Sequence, residues 1–232
     1  MSIRKTFITH VAIYIGVMNV MIVVPHPDDE VLGFGGVIQK HVKRNDNVFI
    51  YFMADISMSP RTQKQVDQFP QVAERLECFG KACNTFINEN NFLSNVRILE
   101  DEIHNFRPDI LYSVFGGDNH QHHEYMFKVL RIATRIYAPF LVKKIYLGEI
   151  LSSTDQAPRL LEHTFIPNHY VPLSIDEVMT KTECLEYYTD EIQQWPHPRS
   201  KKGIFNLAEK RGSECGQQYA ESFITLRSIE TV

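Results

Sequence analysis

The sequence predicts an α/β fold in which helices cover both faces of an open, mostly parallel sheet. Three observations support this prediction. Short apolar runs alternate with longer stretches of helical periodicity, and a helix between two strands is the usual connection of a parallel pair. The chain has 232 residues, of which 44% are hydrophobic, so it can bury a substantial core. This combination is typical of a Rossmann-like, doubly wound domain.

Apolar runs rich in β-branched and aromatic residues predict the strands. The first four lie at residues 20–24, 48–53, 96–99 and 110–115, and a fifth lies at 144–151. Helical spacing of apolar residues predicts helices at residues 29–43, 70–86, 125–137 and 176–194. Residues 195–205 are rich in proline and charge, so we expect a loop there that borders the binding cleft.

Composition indicates one domain without a strongly charged partner. The formal net charge is -4, the isoelectric point is near 6.2, and the lysine doublets are isolated, so nucleic acid is not expected as a partner. The four cysteines have no C-x-x-C spacing, which fits a reducing compartment, and we expect a cytoplasmic protein. The sequence contains no internal repeat or change of composition, so residues 18–232 are expected to form a single domain.

The N-terminal segment allows two interpretations. Residues 7–24 are uncharged and follow two basic residues, as in a signal peptide or a membrane anchor. A histidine and an asparagine interrupt this stretch, and its last five residues are needed as a strand, so we expect neither cleavage nor an integral membrane span. Residues 1–17 are then an appendage, and its association with a membrane stays open as an alternative.

Ionisable side chains are concentrated directly after the first predicted strand. The stretch Pro25-His26-Pro27-Asp28-Asp29-Glu30 places one imidazole and three carboxylates within five positions. Unpaired charge is costly to bury, so such a cluster usually caps a helix or holds a cation. A turn would bring His26 and Asp29 to one side, where a divalent ion could bridge them. A catalytic zinc site needs three protein ligands, so we expect one more from a neighbouring strand end.

A second cluster supplies candidates for that third ligand. Residues 116–124 follow the predicted strand at 110–115, and they contain His120, His122 and His123 within four positions. The carboxyl ends of parallel strands share one edge of a sheet, so the two clusters are expected to meet there. Imidazole and carboxylate ligands favour zinc. The residue pattern alone leaves open which histidine binds the metal.

Together these motifs resemble those of the LmbE-like, or PIG-L, family of zinc-dependent N-acetylglucosaminyl deacetylases. The first family motif, A/P-H-P-D-D-E, matches residues 25–30 completely. The second, H-x-D-H, matches residues 120–123 except that His122 replaces the aspartate. Looser similarity extends the resemblance from about Asn19 to about Phe223 and includes Arg75-Leu76-Glu77, Arg107-Pro108-Asp109-Ile110, Glu149, Arg211-Gly212 and Tyr219-Ala220-Glu221-Ser222-Phe223.

The resemblance implies removal of an acetyl group from the amide nitrogen of an N-acetylated amino sugar or its conjugate. It also implies that His26, Asp29 and His123 bind Zn²⁺. Asp28 would be the general base and His120 a second polar catalyst. From its chemistry, a protonated His120 could stabilise the oxyanion and then donate to the departing amine. The residue types are suited to these roles, because carboxylates accept protons and imidazoles donate hydrogen bonds. A homo-oligomer is a further expectation that rests on the resemblance alone.

Several alternatives accompany this interpretation. Asp28 or Asp29 could simply cap the helix predicted at residues 29–43. A non-catalytic zinc-containing carbohydrate-binding protein would need the metal ligands but not Asp28, and an amidase could act on a different N-acyl substrate. The stretch Gly33-Phe34-Gly35-Gly36 lacks the third small residue of a dinucleotide-binding motif. We expect it instead to allow close packing of the helix on the sheet or entry of a substrate beside the metal.

Other polar residues are expected to have structural roles. The isolated histidines are interpreted as structural or solvated, and they are His10, His41, His104, His163, His169 and His197. His197 and Arg199 lie in the predicted loop, so contact with substrate is an alternative for both. Glu149 and Arg75 are expected to form structural ion pairs rather than to contact a sugar.

Overall fold

The computed structural model describes residues 16–53, 59–83 and 89–230. Its strands are β1 (Asn19–Val24), β2 (Asn47–Phe52), β3 (Phe79–Ala82), β4 (Ile110–Val114), β5 (Lys144–Gly148), β6 (His169–Leu173) and β7 (Tyr219–Ser228). Its α-helices are α1 (Asp29–Lys43), α2 (Pro60–Leu76), α3 (Phe92–Phe106), α4 (Gln121–Ala133), α5 (Ile175–Tyr187) and α6 (Lys201–Glu214). Short 3₁₀ turns lie at Glu89–Asn91, Thr154–Gln156 and Leu161–His163.

Within these described ranges, the seven strands form one sheet in the order β3-β2-β1-β4-β5-β7-β6. The first five strands are parallel to one another, whereas β7 is antiparallel to both of its neighbours. Helices α1, α2 and α5 pack on one another, and α3 packs on α4. The predicted α/β fold with a mostly parallel sheet is therefore confirmed.

The order of the strands reverses at β1. The chain proceeds outward from β1 through β2 to β3, and then returns to the other side of β1 to form β4. A crevice opens at such a reversal, between the carboxyl ends of the two strands. All residues of β1 after Asn19 are buried, so the core holds this part of the sheet firmly. Both sequence clusters follow these two strand ends and therefore lie at the crevice.

The strand predicted at residues 96–99 is wrong, because this segment belongs to α3. Val96, Leu99 and Ile103 are buried and follow one another at three- and four-residue spacing, so they form one face of the helix. A segment with three apolar residues in four positions, as here with Val96, Ile98 and Leu99, fits a strand and one helical turn equally well. The continuation to Ile103 determines that the segment is helical.

The helix predicted at residues 70–86 is also wrong in its bounds. Helix α2 begins well before this range and ends at Leu76, after which Glu77 has a left-handed conformation with a φ of 53°. The strand β3 follows at the edge of the sheet, where the ring of Phe79 stacks on Phe49 of β2 at 5.2 Å between centroids. Pairing with β2 therefore overrides the helical spacing of the segment.

Several other boundaries differ from the predictions by a few residues. Helices α4 and α5 begin and end earlier than the predicted ranges 125–137 and 176–194, and β5 is shorter than the predicted strand at 144–151. Helix α6 begins inside the predicted loop at residues 195–205, because the Ser200 side chain caps its first turn. Helix ends depend on such caps, which apolar periodicity does not specify.

Three predictions fall outside the described residues, and one of them is the structural or solvated role expected for His10. Residues 1–15 of the predicted appendage at 1–17 belong to this part of the chain, as do residues 84–86 of the predicted helix at 70–86. Among the helices that the structure describes, none has the length and apolar character needed to cross a membrane.

A buried ion pair links the antiparallel part of the sheet to α1 and α5. Glu221 of β7 accepts hydrogen bonds from the backbone N–H groups of Gly36 and Val37, at 2.7 Å each. Lys181 of α5 donates to the same carboxylate at 2.8 Å, and the two side chains are only 7% and 6% exposed. A Cβ on Gly36 would lie 2.6 Å from Leu173 and 2.9 Å from Glu221. The role expected for glycine in close packing is therefore confirmed at this position.

We expect Lys181→Met to lower the free energy of unfolding by about 3–5 kcal/mol, because it leaves the buried Glu221 carboxylate without its counter-ion. Urea titration followed by circular dichroism measures this loss. Lys64→Met is the matched control, since Lys64 pairs with Asp190 at the surface, where the side chains are 48% and 54% exposed. The control should cost less than about 1 kcal/mol. Equal losses in the two variants would contradict the importance of the buried pair.

Candidate metal centre

The residues after β1 form a strained turn before α1 begins. Asp28 has a φ of 116°, in the region that favours glycine. The buried side chain of Glu30 accepts the Asp28 backbone N–H at 2.8 Å, and the Tyr188 hydroxyl donates to the other oxygen of Glu30 at 2.6 Å. Such strain costs roughly 1–3 kcal/mol and persists only where the surroundings impose it. Here Glu30 and Tyr188 hold the turn.

The alternative that Asp28 or Asp29 only caps α1 does not fit the structure. Asp28 occupies the position before the helix, yet its side chain makes no capping hydrogen bond. The Asp29 carboxylate turns back instead and accepts the His26 backbone N–H at 3.1 Å. Both carboxylates are buried, so their charges require other partners.

The three predicted metal ligands meet around Asp29. Its Oδ2 atom lies 3.1 Å from Nδ1 of His26 and 3.3 Å from Nε2 of His123. One potential ligand atom from each of the three side chains lies within 4.8 Å of the others. The turn after β1 contributes the first two residues, and the first turn of α4 contributes the third. This arrangement is compatible with a divalent metal ion.

The surroundings of His123 fit a bound cation. Its Nδ1 lies 2.6 Å from Oδ2 of Asp118, so Nε2 is the nitrogen that faces Asp29. A carboxylate behind a ligating histidine fixes the ring in the same way in zinc sites. Burial alone would lower the pKa of His123, but Asp29 and Asp118 outweigh it and raise the pKa to about 10. The site therefore favours positive charge between His123 and Asp29, and a metal ion would supply it.

Asp118 is a residue whose role the sequence did not reveal. Besides its contact with His123, it accepts the His120 backbone N–H through Oδ1 at 2.6 Å, and the Thr154 hydroxyl lies 3.3 Å from Oδ2. Asp118 therefore holds both the start of α4 and a predicted metal ligand. The signal that could have revealed it is a carboxylate five positions before a histidine that the sequence predicts to be a metal ligand.

His120 caps α4 and has a defined tautomer. Its Nδ1 accepts the His122 backbone N–H at 3.2 Å, so the proton of the neutral ring lies on Nε2. Burial and the nearby ring of His26 lower the pKa of His120 to about 3. These surroundings favour a neutral ring, whereas a protonated one was expected from the sequence. The Nε2–H group is still a hydrogen-bond donor.

His122, which replaces the aspartate of the second motif, contacts a predicted metal ligand directly. Its Nδ1 lies 2.8 Å from Nε2 of His26. Burial and the nearby His26 lower the pKa of His122. The substitution therefore introduces a third imidazole beside His26 and His120.

Asp28 lies beside the three candidate ligands without joining them. Its Oδ2 accepts a hydrogen bond from Nη1 of Arg199 at 2.8 Å, and the same Nη1 donates to Glu191 at 2.7 Å. Burial raises the pKa of Asp28 well above its usual range, Asp29 adds to this shift, and Arg199 opposes it. The sequence suggested Arg199 only as a substrate contact and did not single out Glu191. No local pattern links either residue to Asp28.

A polar cleft opens above this group of residues. A lobe of about 220 Å³ is lined by His26, Asp28, Ser59, Arg61, Thr62, Gln65, His120, His122, His123 and Arg199. A second lobe of about 290 Å³ shares Arg61, His120 and Arg199 with the first. Arg199 and His197 line this second lobe, so the predicted position of residues 195–205 beside the cleft is confirmed for both. A separate cavity under α6 holds only about 20 Å³, too little for a substrate.

Several residues that the sequence assigned to structural roles have structural partners. The pairs are His41 with Asp46 at 2.7 Å, Glu149 with Arg211 at 2.6 Å and Arg75 with Glu183 at 2.9 Å. The structural roles expected for His41, Glu149 and Arg75 are therefore confirmed.

Solved structures with a similar fold include a deacetylase and a hydratase. The conserved protein TT1542 from Thermus thermophilus has a TM-score of 0.73 at 18% identity, with 93% of this chain and 98% of that chain covered. The N,N'-diacetylchitobiose deacetylase from Pyrococcus horikoshii, complexed with its inhibitor MPG, has a TM-score of 0.69 at 16% identity, with 92% and 85% covered. The 4-carboxy-2-hydroxymuconate hydratase GalB from Pseudomonas putida has a TM-score of 0.67 at 15% identity, with 93% and 100% covered. At these identities the likeness shows the fold alone.

The family assignment comes from a match of the sequence itself. Comparison with curated proteins gives no match. Residues 21–134 match the family model described as PIG-L: GlcNAc-PI de-N-acetylase. The matched range contains both clusters of ionisable residues, all of β2, β3 and β4, and most of β1. The expected resemblance to the PIG-L, or LmbE-like, family is therefore confirmed over residues 21–134.

Proposed function

We propose that this protein is a zinc-dependent hydrolase that removes an acetyl group from the nitrogen of an N-acetylated amino sugar or its conjugate. One observation carries the proposal: His26, Asp29 and His123 converge beside a second buried carboxylate, Asp28, at the floor of an open cleft. The family model is described as a de-N-acetylase, which supports the same reaction.

The residues that would hold Zn²⁺ are His26, Asp29 and His123. Two imidazoles and one carboxylate are a usual ligand set of catalytic zinc, and the contact of Asp118 with His123 supports the assignment. When bound, the ion supplies a Lewis acid that polarises a carbonyl oxygen and makes a nearby water more acidic.

Asp28 is the proposed general base. Arg199 binds Oδ2 of this carboxylate, which leaves Oδ1 to take a proton from the attacking water. The oxygen of that water forms a bond to the carbonyl carbon, and the proton is returned to the nitrogen as the C–N bond breaks. Acetate and a free amine are the products. A positioned base of this kind typically contributes about 10²–10⁴-fold to the rate.

His120 is the proposed donor to the oxyanion that forms during this reaction. The backbone N–H of His122 holds the neutral ring with its proton on Nε2, and His120 lines both lobes of the cleft. A donor that is fixed before the reaction stabilises the developing charge without reorganisation. The neutral ring serves this role, so the proposal does not require a protonated His120.

The cleft suits a substrate rich in hydroxyl groups. Arg61, Gln65 and Arg199 line the lobe above the metal ligands, and Ser152 and Gln193 line the second lobe. Cavities that hold small molecules usually measure about 300–1,000 Å³. The first lobe alone is smaller than this range, whereas the two lobes together fall within it. A substrate that fills both would be larger than the acetylated group itself, as a sugar conjugate is.

Two alternatives differ in what they require of Asp28. A non-catalytic zinc-containing carbohydrate-binding protein has no use for a buried carboxylate beside the metal, where burial of charge is costly. An amidase acting on another N-acyl group would use the same residues. The hydratase with a similar fold illustrates that the fold does not determine the reaction.

A homo-oligomeric state and a cytoplasmic location stay predictions from the sequence.

We expect Asp28→Asn to keep its zinc and to lose about 10²–10⁴-fold in kcat for acetate release, because an amide cannot accept the proton. Plasma mass spectrometry of the purified protein measures zinc, and a coupled assay over a panel of N-acetylated sugars measures acetate. Asp67→Asn, an exposed change of the same kind in α2, is the matched control. Undiminished turnover in Asp28→Asn would rule out this base. Sugar binding without acetate release by the unmodified protein would favour the non-catalytic alternative.

Asp118→Asn should weaken zinc binding about 10–100-fold, because the ligating ring of His123 loses its charged partner. Competition with a chromophoric chelator gives the dissociation constant. Asp109→Asn is the control, since the exposed Asp109 binds the backbone N–H of Asn19 at the opposite edge of the sheet. Identical zinc affinities for Asp118→Asn and the unmodified protein would show that Asp118 does not support the metal.

Arg199→Gln should lower kcat by about 10–100-fold with a smaller effect on KM, because a mispositioned Asp28 loses alignment with the reacting water. Zinc affinity should stay unchanged. Arg75→Gln is the control, because Arg75 pairs with Glu183, at 2.9 Å, and lines neither lobe of the cleft. A change confined to KM in Arg199→Gln would instead assign Arg199 to substrate binding, the alternative that the sequence suggested.

A further inference from the structure

His26 presents its two ring nitrogens to two different groups of side chains. Nδ1 lies 3.1 Å from Oδ2 of Asp29, in the group assigned above to the first metal ion. Nε2 lies 2.8 Å from Nδ1 of His122, on the side of the cleft. The two nitrogens of an imidazole are separate ligand atoms. A neutral imidazole has one nitrogen with a free lone pair, so His26 can ligate one ion on each side only as an imidazolate, with its remaining N–H proton released to solvent.

The second group consists of His26, His120 and His122. A potential ligand atom from each lies within 4.8 Å of the others. The ring centroids are 4.8 to 5.2 Å apart. All three residues are partly exposed, and all three line the 220 Å³ lobe. This group is therefore accessible from the cleft, whereas Asp29 and His123 are buried.

We propose that His26, His120 and His122 bind a second divalent ion, reversibly and more weakly than the first group binds its ion. Three imidazoles are ligands that Zn²⁺ accepts readily. The aspartate of the family motif would stand at the position of His122, so the third imidazole is a feature of this chain. An ion held there fills part of the lobe through which a substrate must approach Asp28, and it inhibits the reaction. This consequence rests on the proposed function, whereas metal binding itself does not.

Three observations account for the weaker binding. The second group contains no carboxylate, whereas Asp29 and the nearby Asp118 offset the charge of the first ion. Ligation by either nitrogen of His120 disturbs the hydrogen bond that its Nδ1 accepts from the His122 backbone. The distance of 2.8 Å from Nε2 of His26 to Nδ1 of His122 is also shorter than the roughly 3.3 Å between two nitrogens that bind one tetrahedral zinc. These two rings must therefore move apart before both can bind the ion.

Equilibrium dialysis of the full-length, untagged chain against Zn²⁺ tests the proposal, with bound zinc measured by plasma mass spectrometry. We expect two ions per chain at excess zinc, the second bound about tenfold or more weakly, as is typical when a ligand group lacks a carboxylate partner. His122→Asn should bind one ion. His104→Asn, an exposed histidine in α3, is the matched control and should bind two. Saturation of the unmodified chain at one ion, or two ions in His122→Asn, would overturn the second site.

Inhibition by excess zinc gives an independent readout. Excess zinc should reduce acetate release by the unmodified chain and by His104→Asn. It should leave acetate release by His122→Asn almost unchanged. Equal inhibition of all three would reject the blocking role. If two ions bind as expected but no acetate is released under any condition, the proposed function fails and the second metal site stands. If circular dichroism shows that His122→Asn does not fold, the dialysis curve of the unmodified chain decides alone.

Discussion

The pairing of β1 with β4 is the constraint on which the candidate centre depends. Val23 lies opposite Ser113, whose hydroxyl donates to the Val23 carbonyl at 2.7 Å. Because the strands are parallel and in this register, the turn after one and the cluster after the other leave the sheet side by side. His26 and His123, far apart in the sequence, therefore both reach Asp29. A register shift of one residue would exchange the faces of every side chain in β1 and move the turn away from α4.

Three consecutive carboxylates can be buried here because each has different partners. Two imidazoles hold the pKa of Asp29 well below its usual range, although burial opposes them. Asp28 has Arg199 as its partner, but burial still raises its pKa. Glu30 has the hydroxyl of Tyr188, and burial raises its pKa to about 7. Neighbouring groups whose environments move their pKa values apart are suited to different chemical roles. The turn thus supplies the proposed metal ligand, the proposed base and a structural support, all of them carboxylates.

Sequence patterns predicted the parts of this centre that lie on one segment. His26 and Asp29 could be paired from their spacing, because a turn brings such residues together. Asp118 was not identified as a partner of His123, because the hydrogen bond between them depends on how α4 starts. Arg199 comes from a distant loop, and only tertiary packing places it on Asp28. The error at residues 96–99 has a related cause, since a short apolar run satisfies two periodicities and only its packing distinguishes them.

Charge is distributed unevenly on the two sides of His26. The buried side contains Asp29 and Asp118, whose negative charges offset that of a divalent ion. The cleft side contains imidazoles, and the carboxylate of Asp28 on that side is paired with Arg199. An aspartate in place of His122 would add negative charge to the cleft side and reduce this difference. The attraction between an ion and its ligands grows with the opposite charge on the ligands and falls as the site is exposed to water. The buried side would therefore hold an ion more firmly. The asymmetry would keep the proposed first ion on the buried side, while the groups that face a substrate in the cleft are neutral or paired.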